Sequence, residues 1–356
     1  MIPVSVCIIA KNEEKNIEKC LHSISKYPFE IVVADTGSTD RTKEIAKRYA
    51  HKVVDFEWVD DFSAARNFSI MHASHDWILV IDCDEFVDKL NVSEMQKLMK
   101  QYPYAIGQLT RDNICYNQNH NTIHTYDLVE RLFHRNYYHY EGTIHEQVVR
   151  KDGSQGFGFE FPLYVTHTGY HGSPEEIKAK SERNLRLLEK ELEKNPDDPF
   201  LYYHLGESYC LNNNYEKAYE YFDKGLFLDV DESLEYVQRM VVSYGYTLIY
   251  TNRLEKAQTL ENLYEYFKDI ADYLFLLGDI YLQVRRNEDA LKAYFAATAC
   301  KKHFDEGTNS YRAFHNIACI YEAYGHHEEA KMFYKKAGNY PPSVTRLENL
   351  LHSQGE

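Results

Sequence analysis

The chain has 356 residues, room for about two domains, and its 44% hydrophobic and 27% charged content marks it as globular. A formal charge of −15 excludes the clustered Lys and Arg that a nucleic-acid or anionic-membrane surface needs. Seven cysteines, odd in number and without a Cys-x-x-Cys pair, fit reduced thiols in a cytoplasmic protein. The sequence shows no signal-peptide opening, and no apolar run nears the ~18 residues of an integral membrane segment.

Residues 2–10 are a β-rich run without a breaker, the pattern of a central parallel strand. Asn12, Glu13 and Glu14 then open a helix: Asn12 can cap it, the acids suit its positive end, and Ile17, Leu21 and Ile24 follow at helical spacing. A second strand over 29–34 ends at Asp35, residues 36–40 make a turn, and Thr39 or Asp40 caps a helix over 41–49. A third strand spans 52–58, a helix begins at Asp61, and a fourth strand over 77–81 is apolar until it meets Asp82, Asp84 and Glu85. The order β-α-β-α-β-α-β predicts a parallel, doubly wound sheet.

Ligands of such sheets collect outside the carboxyl ends of the strands. Asp82-Cys83-Asp84 places two carboxylates there, and carboxylates suit Mg²⁺ or Mn²⁺. The competing reading makes them turn and helix-start residues. The first strand is followed by Lys-Asn-Glu-Glu and not by Gly-x-Gly-x-x-Gly, and no P-loop motif occurs. A diphosphate bound here needs a cation in place of a glycine cradle.

Four segments in this order, 10–14 (Ala-Lys-Asn-Glu-Glu), 33–40 (Val-Ala-Asp-Thr-Gly-Ser-Thr-Asp), 62–67 (Phe-Ser-Ala-Ala-Arg-Asn) and 82–85 (Asp-Cys-Asp-Glu), resemble glycosyltransferase family 2. The resemblance covers nearly all of residues 1–170 and implies a GT-A fold, a UDP-sugar donor and a divalent metal, Mn²⁺ or Mg²⁺. By that resemblance Asp35 recognises the uracil or ribose, and Ala10, Asn12 and Glu13 line the base pocket. Arg66 lies near the diphosphate or uracil, Asp82 contacts the ribose or metal, and Asp84 ligates the metal. Turn and capping chemistry for Asp35 and Asp40, and a surface ion pair for Arg66, are the alternatives.

Residues 104–113, 124–136 and 140–150 alternate like strands of an antiparallel extension. The polar segment 116–121 reads as a solvated hairpin or an acceptor-site lid. Inverting transfer needs a base for the acceptor proton, and Glu146 is the candidate, with Asp127, Glu130 and Glu141 as competitors. Arg131 and Arg135 flank Leu132-Phe133, in a diphosphate-holding or a sheet-surface role. After a short strand over 163–166, His167 matches a histidine of the resembling enzymes and suits a metal site with Asp84.

Ser173, Pro174 and Glu176 make a capping box for a helix running through Leu185, Leu188 and Leu192 to Asn195-Pro196. Beyond it Tyr202, Leu205, Gly206, Tyr209, Ala218 and Phe222 fit the tetratricopeptide pattern, as do Leu274, Leu277, Gly278, Tyr281, Ala290 and Tyr294. Weaker copies centre on Gly245 with Ala257 and on Ala318 with Ala330 and Tyr334. The unequal spacing of these alanines predicts longer loops or helices in two copies. Most tyrosines are then packing residues, and the repeats offer a groove for a peptide or protein acceptor, or a buttress or homodimer surface.

The expected architecture is an α/β GT-A domain over 1–172, a linking helix over 173–195 and all-α tetratricopeptide-like repeats over 196–356. The combination resembles bacterial sublancin-type peptide S-glycosyltransferases. That implies an inverting transfer of a hexose or N-acetylhexosamine from a UDP-sugar to a Cys, Ser or Thr side chain. A lipopolysaccharide-core or cell-wall glycan acceptor is the alternative. A repeat scaffold with an inactive transferase domain would have lost its carboxylates, yet Asp35, Asp82, Asp84 and Glu146 are all present.

Overall fold

The computed structural model describes residues 3–116, 122–168 and 174–352. The chain divides into two compact units, Met1–Leu187 and Leu188–Glu356. In the first, strands β1 (Val4–Ala10) and β2 (Glu30–Asp35) are buried almost throughout, which is why both read as continuous apolar runs. β1 pairs in parallel with β2 and with β4 (Trp77–Val80), and β3 (Lys52–Asp55) pairs in parallel with β2. Helices α1 (Ile17–Ser25), α2 (Thr42–Ala46) and α3 (Phe62–Met71) return the chain between them.

Beyond β4 the sheet continues through β7 (Thr122–His134), β6 (Ile106–Tyr116), β10 (Gly158–His167) and β5 (Glu85–Leu90), in the order β3-β2-β1-β4-β7-β6-β10-β5. β10 runs parallel to β6, while the β4–β7, β6–β7 and β5–β10 pairs are antiparallel. Helix α4 (Val92–Gln101) follows β5, and β8 (Tyr138–Glu141) with β9 (Gln147–Arg150) makes a separate antiparallel pair. The strand order reverses between β1 and β4. The chain leaves both strands there at their carboxyl ends, and the crevice at such a switch point is where ligands bind.

Two sequence expectations change. The strand expected over 140–150 is broken, because Gly142 (φ 95°) and His145 (φ 53°) turn the chain and put Glu146 in a tight loop between β8 and β9. Asn12 does not cap α1, whose N-cap is Asn16. Asn12 instead adopts φ 56°, accepts from the Thr39 backbone N–H through Oδ1 at 2.8 Å and donates its own N–H to Ser38 Oγ at 3.0 Å. Asp40, in contrast, takes the Thr42 N–H at the start of α2 (2.9 Å). β5, α4 and the first half of β10 were not legible in the hydrophobic pattern. The segment 117–121 and the side chains of the Ser173 to Glu176 capping box lie outside the described residues.

The second unit stacks helix pairs: α6 (Pro199–Leu211) with α7 (Tyr215–Phe227), α11 (Ala271–Gln283) with α12 (Asn287–Ala299), and α13 (Tyr311–Ala323) with α14 (His327–Lys336). α5 (Pro174–Lys194) precedes them and α15 (Pro341–His352) follows. The copy at Gly245 is irregular. Its first helix, α8 (Glu235–Tyr250), is longer than its counterparts, and its second is broken into α9 (Leu254–Gln258), a 3₁₀ turn and α10 (Tyr264–Phe267). The long spacer before α13 is held by buried Asp272, which accepts from the N–H groups of Phe304 (2.7 Å) and Asp305 (2.9 Å).

The repeat glycines are small because a ring lies against them. A Cβ on Gly206 would stand 2.3 Å from the Phe222 ring, and one on Gly278 2.5 Å from the Tyr294 ring. Gly278→Ala is therefore expected to lower the unfolding free energy by about 1–3 kcal/mol, the usual cost of overpacking. Urea denaturation of the two proteins checks it, and an unchanged midpoint would show that Tyr294 can yield. Tyr209, Tyr244, Tyr273, Tyr294 and Tyr334 are buried, as packing residues should be, whereas Tyr250, Tyr266 and Tyr324 are exposed.

Candidate active site

At the carboxyl ends of β1 and β4 lies a cavity of about 730 Å³. Ala10, Lys11 and Glu13 enter it from the end of β1, and Asp82, Cys83 and Asp84 from the end of β4. Phe62 and Arg66 reach it from α3, Ile144 to Glu146 from the β8–β9 loop, and His167 from the end of β10. The fold explains the Phe62-to-Asn67 motif. The Phe62 N–H donates to Thr143 O (2.9 Å), Ser63 Oγ to Gly142 O (2.7 Å) and Asn67 Nδ2 to Tyr140 O (2.8 Å). One helical face of α3 thus holds the loop that carries Glu146. Asp61 starts that helix by accepting from the Ala64 N–H at 2.8 Å.

Buried charges at the cavity floor are linked into one network. Arg66 donates through Nε to Glu146 (2.5 Å) and pairs through Nη2 with Asp82 (2.9 Å). Arg131 reaches Asp82 (2.6 Å) and the fully buried Glu85 (2.9 Å) with the same nitrogen. Burial alone would raise the Asp82 carboxyl, but Arg131 and Arg66 hold it far below the usual carboxylate range. The Arg66 Nη1 and the Asp35 Oδ1, both buried, have no hydrogen-bond partner among the described residues. Such groups are costly unless something pairs with them.

At the other side of the cavity, His167 Nε2 stands 3.5 Å from Asp84 Oδ2. His167 Nδ1 meets Asn113 Oδ1 at 2.8 Å, and Asn113 Nδ2 donates to Asp127 at 3.1 Å. Because a carboxylate only accepts, the Asn113 amide is oriented with its oxygen toward His167, and Nδ1 must carry the ring proton. Nε2 then turns its lone pair to a carboxylate oxygen. Two acceptors face each other, and a proton or a metal cation between them resolves the conflict.

Of the residues singled out from sequence, Ala10, Glu13, Arg66, Asp82, Asp84, Glu146 and His167 line this cavity, whereas the exposed Asn12 and the buried Asp35 are not in its lining. Among the competing bases, Asp127 is held by Arg111 through two bonds (3.0 and 2.6 Å) and Glu141 pairs with His139 (2.8 Å). Glu130 is exposed on β7, with partial desolvation by its surroundings pushing its carboxyl up. None of these three lines the cavity. Arg135 bonds Asp76 and the carbonyls of Ile70 and Ala73, a structural role away from the site. Sequence reasoning missed Asn113, Trp58, Lys180 and Arg183. The first two carried no motif, and the last two sit on a helix whose pattern announced only packing. No group of three or more His, Cys, Asp or Glu that could hold a metal occurs among the described residues.

A doubly wound sheet with paired carboxylates at its switch point, followed by stacked helix pairs, defines a GT-A-like domain joined to helical repeats. Residues 5–157 match the family described as Glycosyl transferase family 2, and residues 187–220 and 311–341 match Tetratricopeptide repeat models. The chain carries a glycosyltransferase family 2 domain followed by tetratricopeptide repeats. It is 33% identical over 229 residues to the SPbeta prophage-derived glycosyltransferase SunS of Bacillus subtilis, covering 63% of this chain and 53% of that one. A TPR repeat-containing protein of Synechococcus elongatus is 30% identical over 236 residues, 64% of this chain and 57% of its own. The chain thus spans about half the length of the curated relatives it matches. Among solved structures, the crystal structure of MamA covers 49% of this chain and 95% of its own, at 20% identity and a TM-score of 0.40. No helix among the described residues is long and apolar enough to cross a membrane.

Proposed function

We propose that this chain is an inverting, metal-dependent glycosyltransferase that moves a hexose or N-acetylhexosamine from a UDP-sugar to a Cys, Ser or Thr side chain of a peptide or protein. The observation that carries the reading is the convergence of Asp82, Asp84, Arg66, Glu146 and His167 on one cavity at the sheet's switch point. The similarity to SunS supports a peptide acceptor, and tetratricopeptide repeats suit protein recognition.

The residues present fit a divalent metal. Asp84 and His167 offer a carboxylate and an imidazole of set tautomer, and Mg²⁺ or Mn²⁺ in such sites takes its other ligands from substrate phosphates and water. When bound, the metal neutralises charge that develops on the departing diphosphate. Asp35 Oδ1 is an acceptor for a uracil or ribose donor group, and Arg66 Nη1 is a donor for a phosphate oxygen. The acceptor's Sγ or Oγ attacks C1 of the sugar from the face opposite the diphosphate. The C1–O bond breaks with its electron pair leaving on UDP, and Glu146 takes the acceptor's proton.

Release of UDP from a panel of UDP-sugars with Mn²⁺ or Mg²⁺ tests the reading. One donor should be hydrolysed slowly, with the activity abolished by EDTA and lowered at least about 100-fold in Asp84→Ala. Hydrolysis that survives both treatments would remove the metal from the mechanism, and absence of both hydrolysis and UDP binding would remove the transferase.

A further inference from the structure

The cavity has a wall that lies outside the family-matched segment. α5 begins beyond residue 157, and its Ala179, Lys180, Arg183 and Asn184 all line the cavity. Their spacing is that of one helical face. The helix is seated by Arg186, which forms two bonds to Asp60 (2.7 and 3.0 Å). Asp60 in turn accepts from Trp58 Nε1 (2.9 Å), Trp58 packs on Phe62 at 4.9 Å, and the Arg183 guanidinium lies over the Phe62 ring at 5.3 Å. Arg183 is therefore held in place before any ligand arrives.

Its charge is uncompensated. Arg183 bonds only the amide oxygen of Asn184 (3.1 and 3.3 Å) and has no carboxylate within ion-pair distance among the described residues. Burial, with Arg186 nearby, pushes its guanidinium down from the ordinary range, against a weaker pull from Glu13. Arg66 differs, because Asp82 and Glu146 already neutralise it. A half-buried cation without a counter-charge, facing a cavity, is stabilised by an anion that enters it.

We infer that Arg183, with Lys180 one turn before it, is a second cationic clamp for the diphosphate of the donor, supplied by the helix that follows the transferase domain. The inference rests on the UDP-sugar reading above. It gives the leaving group a donor fork on α5 in addition to Arg66 on α3, and a planar guanidinium suits phosphate oxygens better than an ammonium does. The arrangement also makes donor affinity depend on the seating of α5 by the Arg186–Asp60 pair.

Calorimetric titration of the full chain with UDP, UMP and uridine in Mn²⁺ tests it. Arg183→Gln is expected to weaken UDP binding about 10- to 100-fold and to leave uridine binding unchanged, because one charge-assisted phosphate contact is lost. Lys180→Gln should weaken UDP binding less, and Arg183→Lys should recover part of the loss. If Arg183→Gln binds UDP as wild type does, the clamp is overturned and the transferase reading stands. An equal loss for uridine and UDP would also overturn it, because the residue would then shape the pocket and not bind phosphate. Wild type binding none of the three ligands would overturn the donor assignment itself.

Discussion

Glu146→Gln is expected to slow donor turnover by about 10²–10⁴-fold while changing UDP affinity less than about threefold. The amide keeps the shape of the carboxylate and can still accept from Arg66 Nε, so the network around Asp82 stays assembled and only the proton acceptor is lost. UDP-release rates and calorimetric affinities, measured side by side, separate the two effects. The ion pair with Arg66 holds the Glu146 carboxylate in place at the cavity. Full turnover in Glu146→Gln would sink the assignment. Asp127, Glu130 and Glu141 would be poor replacements, because none of them lines the cavity.

Arg131→Ala is expected to cost about 3–5 kcal/mol of unfolding free energy, the largest stability effect among the changes considered. Its removal leaves the fully buried Glu85 and the partly exposed, cavity-lining Asp82 short of a counter-charge. Arg66 would still serve Asp82, and Arg111 stands 3.5 Å from Glu85, so Glu85→Gln in the same chain should recover part of the loss. Equilibrium denaturation of the single and double variants measures this, and a loss under about 1 kcal/mol would mean that water or Arg111 relaxes the site. The same network sets a pH dependence. The folded-state Asp82 carboxyl lies below its unfolded value, so its contribution is fully present above the ordinary carboxylate pKa of about 3.9 and is lost as pH falls below it. Wild type should therefore lose stability below about pH 4 more steeply than Arg131→Ala.

Much of the first unit was legible because its strands are buried on both faces and end in charge. β1, β2 and β4 read as largely apolar runs, and of the acids that follow β4, Asp82 and Asp84 reach the cavity. The repeats were legible through the glycine and aromatic residues that share a constant offset, since Gly206 under Phe222 and Gly278 under Tyr294 are the same packing solution used twice. Glu146 was singled out and does line the cavity, yet it stands on a different element from the one expected. An extended pattern does not reveal that Gly142 and His145 take positive φ and fold the segment into a loop. Asn12 misled for a related reason: its side chain was read as a local cap, but it bonds a loop 27 residues away.

The sequence by itself determined the parallel half of the sheet, the acidic strand end and the helical repeats. These follow from periodicity and from short-range chemistry, both of which are local. Only the tertiary structure decided which charges neutralise which. It placed Arg131 on Asp82 and Glu85, Arg111 on Asp127, and Asn113 behind His167, and it left Arg183 facing the cavity with no carboxylate among the described residues in ion-pair range. Pairings of that kind join strands and helices far apart in the chain. No local pattern encodes them, because the energy that selects a partner for a buried charge depends on which groups the fold has already taken out of water.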